Sequence, residues 1–484
     1  MAANTGSNLC TSLAVRRKGT ATSEGIATVS GMAADTTLII LGASGDLTSR
    51  LLLPALGQLL AREPGRSVRL HGAGMDDWTD EHWREVVHQA FQTMDADAAF
   101  DQVSATTYSQ ADITKAADLL TLLDAAEGRP ALYFAVPPAV TEKSCIALAD
   151  VNIPEGTILA LEKPFGTDEA SAHKLNQQLA TLVPESQVFR IDHFLGRSTV
   201  LNLLGVRFAN RLIESVWSAD DIATITVDFP EKLGLEGRAG YYDSAGALVD
   251  MIQSHLLQVM AFVTMEPPSS LDQLDLRDAT AAVLRATHVL DDDPVANSRR
   301  ARYTAGDVGD RHFVSYVDEP GVDPSRDTET LAEMTVEVRT TRWQGVPITL
   351  RSGKALDAGD PAVTVTFKPV RHLPTGFVGE SEPSKLVFSL GPDTMSLELN
   401  VNGADDPLEL ERVALAADLG EGALKAYGEV LSGILDGDAM LAVRGDAAEQ
   451  CWRIVQPVID AWRQNKVPLD EYPAGSTGPA SWQG

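Results

Sequence analysis

Apolar runs of strand length alternate with helical patterns from residue 36 onward. The first run, residues 37–41, is continuous, and a Leu-rich helical pattern follows it and ends near Gly65. Runs of the same character occupy residues 68–72, 131–136, 157–161 and 187–191, with helical patterns such as residues 168–182 between them. Strands that alternate with helices in this way predict a parallel, doubly wound sheet.

The second half of the chain has a different pattern, in which β segments follow one another without helices between them. These segments occupy residues 223–229, 334–338, 362–367, 385–390 and 395–401. This grouping predicts a large, mainly antiparallel sheet with helices on one side. We therefore predict an α/β protein with an N-terminal doubly wound Rossmann-type domain, residues 36–200, and a C-terminal α+β domain, residues 201–484.

Residues 1–35 form a separate region that is rich in Ser, Thr, Ala and Gly. They lack the apolar core of a signal peptide, so we predict a disordered tail. Met32 stands just before the first predicted strand and is a candidate for the true start of the chain.

Charge and cysteine usage narrow the classes of function. Lys and Arg number 39 against 68 Asp and Glu, and the net charge of −29 argues against nucleic acid or an anionic membrane as the main partner. A phosphate site in such a chain must be a local basic pocket. Cys10, Cys145 and Cys451 lack metal-ligand spacing, which predicts a reducing cytoplasm and no metal site. The longest apolar run is shorter than a membrane span.

A glycine-containing turn follows the first strand directly and opens the Leu-rich helix. Such a strand, turn and helix can bind a dinucleotide pyrophosphate on backbone N–H groups. The spacing is GxxGxL, which an ordinary tight turn would also show, but its place on the first strand of a doubly wound sheet favours the cofactor interpretation. The candidate cofactor-binding residues here are Gly42, Ser44, Gly45, Asp46 and Leu47.

A second motif, Glu-Lys-Pro-Phe-Gly, follows the strand that ends at residue 161. Its Lys163 stands at a strand's carboxyl end and can point into the same crevice, where an ammonium can donate to a sugar hydroxyl. The alternative is a turn in which Lys163 pairs only with Glu162 or with solvent.

The third motif spans residues 190–197 and places Asp192 and His193 between a strand and a helix that opens at about Ser198. Ionisable groups at a strand's carboxyl end, facing a helix N-terminus, are typical of ligand sites in α/β proteins. The sequence therefore predicts that this turn lies in the functional site.

A helix predicted over residues 245–263 is apolar over most of its circumference, which indicates burial. Asp250, Ser254 and Gln258 fall on one stripe at i, i+4 and i+8, with His255 beside it. A lone histidine on such a helix is usually a hydrogen-bonded core residue. The free carboxylate of Asp192, which could orient the imidazole, favours a catalytic role instead.

In their order and spacing these motifs resemble the glucose-6-phosphate dehydrogenase family, from about residue 36 to the end of the chain. The segments that carry the resemblance are residues 42–47, 162–166, 190–196, 207–210, 250–255, 350–356 and 472–479. RIDHxLG followed by DxxQxH is its most specific part.

The resemblance implies oxidation of glucose 6-phosphate at C1 to 6-phosphoglucono-1,5-lactone, with hydride transfer to NAD or NADP, in the oxidative pentose phosphate pathway. It also implies a cytoplasmic homodimer or homotetramer whose C-terminal domain serves substrate binding and dimerisation. His255 is implied as the general base and Asp192 as the carboxylate that orients it. The residues implied to hold the sugar phosphate are Lys163, His193, Arg197, Glu231, Asp250 and Lys354, and Lys163 also borders the cofactor.

Two departures from the family pattern concern binding of phosphate groups. Phe194 stands where the family usually has tyrosine, which removes a hydroxyl from the substrate's phosphate pocket. Arg197 stands where the family usually has lysine, and a guanidinium can grip phosphate bidentately. We therefore expect phosphate binding to be altered rather than lost.

The second departure follows the second strand, where Met75 and Asp76 occupy the place of the family's arginine for the cofactor 2′-phosphate. Asp76 would repel that phosphate and accept a hydrogen bond from a 2′-hydroxyl, which favours NAD, whereas the family favours NADP. Arg50 or Arg66 could supply the missing charge.

Other functions remain open from the sequence. A related NAD-dependent dehydrogenase for a different or unphosphorylated aldose would keep Lys163 and the His/Asp pair. A non-catalytic paralogue that only binds sugar phosphate, or a β-rich interaction protein, is disfavoured by the presence of His255, Asp192 and both lysines.

Overall fold

Two β-sheets organise the protein in the computed structural model, which describes residues 36–482. The strands are β1 (Thr36–Leu41), β2 (Val68–Gly74), β3 (Thr107–Gln110), β4 (Arg129–Phe134), β5 (Ile158–Glu162), β6 (Val188–Ile191), β7 (Ile222–Pro230), β8 (Thr287–Val289), β9 (Ser298–Thr304), β10 (Gly306–Val308), β11 (Arg311–Phe313), β12 (Leu331–Val338), β13 (Ile348–Gly353), β14 (Ala362–Phe367), β15 (Lys385–Ser389), β16 (Thr394–Asn402), β17 (Leu410–Asp418), β18 (Ala442–Val443) and β19 (Leu469–Pro473). The predicted tail, with Met32 and Cys10, lies outside the described residues.

Helices cover both faces of the first sheet and one side of the second. They are α1 (Leu53–Arg62), α2 (Asp80–Gln92), α3 (Ala116–Asp124), α4 (Pro138–Leu148), α5 (Glu169–Leu182), α6 (Ser198–Phe208), α7 (Arg211–Glu214), α8 (Ala239–Ala247), α9 (Leu257–Thr264), α10 (Gln273–Ala286), α11 (Ala426–Asp436) and α12 (Gly445–Arg463). Two π-helical stretches, Thr48–Leu52 and Leu248–Leu256, run directly into α1 and α9. Short 3₁₀ turns lie at Asp97–Val103, Glu185–Gln187, His193–Gly196, Leu290–Asp292, Tyr316–Asp318, Pro324–Arg326 and Ala480–Trp482.

The first sheet has the order β18-β6-β5-β4-β1-β2-β3, and β1 to β6 pair in parallel. β1 is buried along its whole length because helices cover both faces, which explains its continuous apolar run. The strand order reverses between β1 and β4, so the crevice at their carboxyl ends is the switch point where such sheets bind ligands. The α/β prediction with a Rossmann-type first sheet is confirmed.

Carboxyl-terminal segments return to the first sheet. β18 pairs antiparallel with β6, and Leu431 and Ile434 of α11 are buried in the same cluster as Leu38 and Ile40 of β1. The predicted domain division at residue 200 falls inside α6 and stays a prediction. The return of α11 matters for the site because it carries Tyr427 to the edge of this sheet.

The second sheet has the order β17-β16-β15-β14-β7-β13-β12-β9-β19, with β8 on β12. The pairs β7–β13 and β9–β19 are parallel, and the remaining pairs are antiparallel. The expected mainly antiparallel sheet is therefore confirmed. Its apolar side chains, such as Val227 and Leu350, share a core with Ile252 and Leu256.

The core helix, Ala239–Thr264, comprises α8, the second π-helical stretch and α9, with a break at Gly246, whose φ is +70°. It is long and apolar enough to cross a membrane, with a mean hydropathy of 1.3, but 83% of that window is buried inside the protein. It is therefore the packed centre of the fold, as its apolar pattern predicts.

The predicted stripe of Asp250, Ser254 and Gln258 on this helix is confirmed only for the first two, since Ser254 Oγ donates to the Asp250 carbonyl at 3.3 Å. Gln258 departs from it because the local geometry is π rather than α. The N–H of Leu257 bonds to the carbonyl of Ile252, five residues earlier. This spacing brings Asp250 and His255, also five residues apart, to one cleft. Gln258 instead donates to the Sγ of buried Cys451 at 3.4 Å.

Candidate active site

One cleft of about 920 Å³ lies between the carboxyl ends of the first sheet, the core helix and the carboxyl ends of β7 and β13 in the second sheet. It brings together side chains that the sequence predicts from both halves of the chain. These are Gly45, Asp46, Leu47, Lys163, His193, Arg197, Glu231, Asp250, His255 and Lys354. A neighbouring cleft of about 680 Å³ shares only Tyr241 with it and contains none of these residues.

Asp192 and His255 form a buried pair behind the cleft wall. Asp192 ends β6 and its Oδ1 accepts hydrogen bonds from the Phe194 N–H at 3.0 Å and from His255 Nδ1 at 2.5 Å. Both side chains are only 2% exposed. Because Nδ1 is engaged by Asp192, Nε2 is the nitrogen left for the cleft, which is the geometry of an oriented general base.

The pKa shifts of this pair favour a carboxylate beside a neutral imidazole. Burial raises the pKa of Asp192, but the charge and hydrogen bond of His255, with the charges of His193 and Lys163, outweigh it and lower that pKa to about 2. Burial lowers the pKa of His255 below its ordinary value, with the Asp192 charge acting in opposition. At neutral pH His255 can therefore accept a proton, and Asp192 stabilises the imidazolium that results.

Two lysines meet carboxylates at the expected sugar-binding end of the cleft. Lys163 Nζ donates to the backbone carbonyl of Asp250 at 2.7 Å and to its Oδ1 at 3.3 Å, and the Lys163–Pro164 peptide bond is cis. Lys354 Nζ donates to Glu231 Oε2 at 2.7 Å and lies 4.0 Å from Asp250 Oδ2. Burial raises the pKa of Asp250, but both lysines together bring it below its ordinary value.

Glu162 is not the partner of Lys163 that the alternative interpretation required. Its Oε1 accepts from the hydroxyl of Tyr133 at 2.5 Å, and burial raises its pKa to about 7. Lys163 therefore faces Asp250 in the cleft, as the sugar-binding interpretation requires.

Aromatic rings separate the base from the expected phosphate end. The ring of Phe194 stacks on that of His255 with centroids 4.1 Å apart, and the Arg197 guanidinium lies 4.4 Å from the Phe194 centroid. The His193 ring stacks on Tyr427 at 5.3 Å. Burial, with the His255 charge, lowers the pKa of His193 to about 3, so this imidazole is neutral at neutral pH.

The glycine turn closes against the end of β4. Gly42 has φ of +92°, and a Cβ there would lie 2.4 Å from the Ala135 carbonyl oxygen, so glycine is required. The N–H groups of Gly42 and Ala43 both donate to the Ala73 carbonyl, at 2.8 and 3.0 Å. This fixes the start of the helix that presents Asp46 and Leu47 to the cleft.

The end of β2 lies beside this turn. Ser44 Oγ donates to the carboxylate of Asp76, and the Tyr108 hydroxyl donates to the Asp76 carbonyl at 3.1 Å. Gly42, Ser44 and Asp76 thus border the cleft without lining it, while Met75 is 66% exposed.

The two arginines considered for the 2′-phosphate are placed differently. Arg50 lines the cleft and pairs with Asp46 at 3.1 Å. Arg66 pairs with Glu63 and Asp436 and does not line the cleft. The suggestion that Arg66 supplies the charge is therefore not supported by its position.

Comparisons with known proteins agree with this arrangement. Residues 39–202 match the model for the glucose-6-phosphate dehydrogenase NAD binding domain, and residues 204–483 match that for the C-terminal domain of the same family. The chain belongs to the glucose-6-phosphate dehydrogenase family. A glucose-6-phosphate 1-dehydrogenase from Dickeya dadantii is 34% identical over 465 residues, covering 92% of this chain and 94% of the relative.

Solved structures of the family have the same fold. The Mycobacterium avium enzyme superposes with a TM-score of 0.81 at 33% identity, covering 93% of this chain and 96% of its own. A glucose-6-phosphate dehydrogenase in complex with its substrate has a TM-score of 0.82 at 29% identity, with the same coverage. Membership of the family assigns the first domain to a type that binds a nicotinamide dinucleotide.

The individual residue roles stay predictions, and the site includes side chains that sequence reasoning missed. Arg238, Lys425 and Tyr427 all line the cleft. Arg238 follows a glycine and Tyr427 precedes one, each at a helix start, a pattern too common to single them out. Only their spatial position reveals them.

Asp192, His193 and His255 form the one group of three or more potential metal ligands found in residues 36–482, with ligand atoms within 4.8 Å of one another. Asp192 Oδ1 and His255 Nδ1 are already bonded to each other, which suits proton transfer better than metal binding. That the site uses no metal stays a prediction.

Proposed function

We propose that this protein oxidises D-glucose 6-phosphate at C1 to 6-phosphoglucono-1,5-lactone. The observation that carries the proposal is the buried Asp192–His255 pair, which opens into the same cleft as the glycine turn. A base, a dinucleotide-binding turn and paired lysines within one cleft are what a sugar dehydrogenase requires. The relatives named glucose-6-phosphate 1-dehydrogenase support the choice of substrate.

His255 Nε2 takes the proton of the C1 hydroxyl as the C1–H bond breaks. A bound nicotinamide would accept the hydride, and the two electrons left on oxygen form the C1 carbonyl of the lactone. Asp192, held ionised by its low pKa, stabilises the imidazolium. The proton then leaves to solvent, which restores the neutral base.

The lysines orient the sugar. Lys163 and Lys354 can donate to hydroxyl oxygens, and Glu231 and Asp250 can accept from hydroxyl groups. Because each lysine already has a carboxylate partner, substrate hydroxyls can enter these bonds without leaving a buried charge unpaired. His193 and Arg197 would hold the phosphate.

We also propose which of the two nicotinamide cofactors, NAD or NADP, the enzyme prefers. Asp76, which Ser44 holds beside the glycine turn, favours a ribose 2′-hydroxyl and hence NAD. Arg50 opposes this preference only if it leaves Asp46. Met75→Arg should raise kcat/KM for NADP relative to NAD by about tenfold or more, since a guanidinium–phosphate pair contributes roughly 1.5–3 kcal/mol.

The decisive assay compares glucose 6-phosphate with glucose, each with NAD and with NADP, at steady state. We expect kcat/KM for the phosphorylated sugar to exceed that for glucose by at least about a hundredfold. Comparable activity on both sugars would favour the alternative aldose dehydrogenase. A strong NADP preference would show that the interpretation of Met75 and Asp76 is wrong.

We also infer a cytoplasmic homodimer or homotetramer. Apolar side chains at and beside the outer strand β17 support self-association, since Leu415 is 61% exposed and Leu408 is 51% exposed. Sedimentation equilibrium of the wild type and of Leu415→Asp would measure it. A monomeric wild type would overturn the inference.

A further inference from the structure

Arg238 is a cation of the cleft that no sequence motif singled out. It lines the cleft and is exposed, and its guanidinium has no hydrogen bond or ion pair within the described part of the chain. The chain carries a net charge of −29, and most of the cleft's other cations have a carboxylate partner. An unpaired guanidinium in such a protein is available for an anion from solution.

Arg238 lines the same cleft as Arg197, His193 and Tyr427. Burial and the Glu162 charge raise the pKa of the Tyr427 hydroxyl, and the nearby Arg238 charge acts against them. The ring of Tyr427 stacks on His193, the expected phosphate ligand. Arg238 therefore opens into the cleft whose wall includes the stacked rings of His193 and Tyr427.

The phosphate end is short of charge without Arg238. His193 is neutral because its pKa is about 3. Arg197 uses Nη1 to donate to the Leu390 carbonyl at 2.6 Å, and its guanidinium lies over Phe194, which offers no hydroxyl. A sugar phosphate carries between one and two negative charges at neutral pH, so one partly engaged guanidinium leaves it incompletely neutralised.

The backbone holds Arg238 at a defined place. It directly precedes the core helix, and the two residues before it, Glu236 and Gly237, have φ of +48° and +79°. A break at Gly246, whose φ is +70°, separates the start of α8 from the π-helical stretch that carries Asp250 and His255. Arg238 therefore enters the cleft from the start of α8, in the segment directly before the one that carries the base.

We propose that Arg238 is a second guanidinium ligand of the substrate's phosphate and, with Arg197, sets the preference for a phosphorylated sugar. This rests on the proposed function. It adds a residue that acts on the phosphate alone and leaves the chemistry at C1 to the Asp192–His255 pair.

The test compares Arg238→Met, Arg238→Lys and the control Arg463→Met, an exposed arginine that lines only the neighbouring cleft. Arg238→Met should raise KM for glucose 6-phosphate by about 10- to 100-fold and the Ki of competing inorganic phosphate similarly, with kcat changed less than about threefold. Kinetics with glucose should change less than about twofold. Arg238→Lys should recover part of the loss, and Arg463→Met should match wild type.

An unchanged KM and phosphate Ki in Arg238→Met would overturn the proposal. Equal losses with glucose and glucose 6-phosphate, or no recovery in Arg238→Lys, would also overturn it, because they indicate a structural role. Failure of the proposed function is a separate result: the wild type itself would then show no preference for glucose 6-phosphate over glucose.

Discussion

The two ends of the cleft manage charge in opposite ways. At the sugar end every cation or base has a carboxylate partner: Lys163 with Asp250, Lys354 with Glu231, and His255 with Asp192. At the expected phosphate end Arg197 and Arg238 line the cleft, and among the described residues neither side chain pairs with a carboxylate. The sugar end is therefore electrically neutralised before substrate binds, whereas the phosphate end has positive charges without a carboxylate partner.

This difference fits the two parts of a sugar phosphate. Hydroxyls are neutral, and they can share hydrogen bonds with a preformed ion pair without changing the buried charge. A phosphate dianion needs cations that are not already neutralised. Glucose would gain nothing from the unpaired cations, so discrimination between the two sugars should arise at the phosphate end.

The largest effect should come from His255→Asn. Loss of the base should lower kcat by up to about 10⁴-fold, since general base catalysis contributes roughly 10² to 10⁴. Binding of glucose 6-phosphate, measured by calorimetry, should change little because the phosphate end is untouched. His173→Asn, at an exposed histidine paired with Glu449, is the matched control. Unaffected turnover in His255→Asn would remove His255 from the mechanism.

Asp192→Asn should lower kcat by roughly a hundredfold, because the imidazole loses its orientation and the stabilisation of its charged form. The pH profile gives a second measurement. Wild-type kcat/KM should fall on the acid side below pH 6.5, since burial lowers the pKa of His255 and its protonated form cannot act as base. The Asp192 charge raises that pKa, so the acid limb should move to still lower pH in the variant. A limb shifted upward would contradict this assignment.

Lys163→Met tests the sugar end directly. Loss of a charge-assisted hydrogen bond should lower kcat/KM by about 10- to 100-fold. The factor should be the same for glucose and glucose 6-phosphate, because both sugars present the same hydroxyls. Lys174→Met, at an exposed lysine paired with Glu142, serves as the control. A loss confined to the phosphorylated sugar would place Lys163 at the wrong end of the cleft.

The sequence predicts the helices, the strands and the sugar end of the cleft better than it predicts the phosphate end. Apolar periodicity reports burial, so β1 and the core helix follow from local pattern. Asp192 and His255 lie in distinctive motifs. The π geometry that aligns Asp250 with His255 depends on tertiary packing, and so does the stacking of Phe194 between an imidazole and a guanidinium.

Position in space decides the remaining residues. Tyr427 reaches His193 because α11 packs against the first sheet. β18, which follows α11 and joins that sheet, has two residues and too few side chains to give a pattern. Arg238 and Lys425 are ordinary surface cations until the cleft forms around them. Their significance is the absence of a partner among the described residues, which a sequence does not record.

The smallest expected effect is the response to salt, and it bears on the contrast between the two ends most directly. The Debye length falls from about 10 Å at 0.1 M to about 3 Å at 1 M, and unpaired, partly exposed cations are screened most. Raising sodium chloride from 0.1 to 0.5 M should increase KM for glucose 6-phosphate a few-fold, while KM for glucose changes little because the paired lysines are already neutralised. Arg238→Met should show a weaker response than wild type. An equal salt dependence of KM for the two sugars would mean that the unpaired cations at the phosphate end do not contribute to substrate binding.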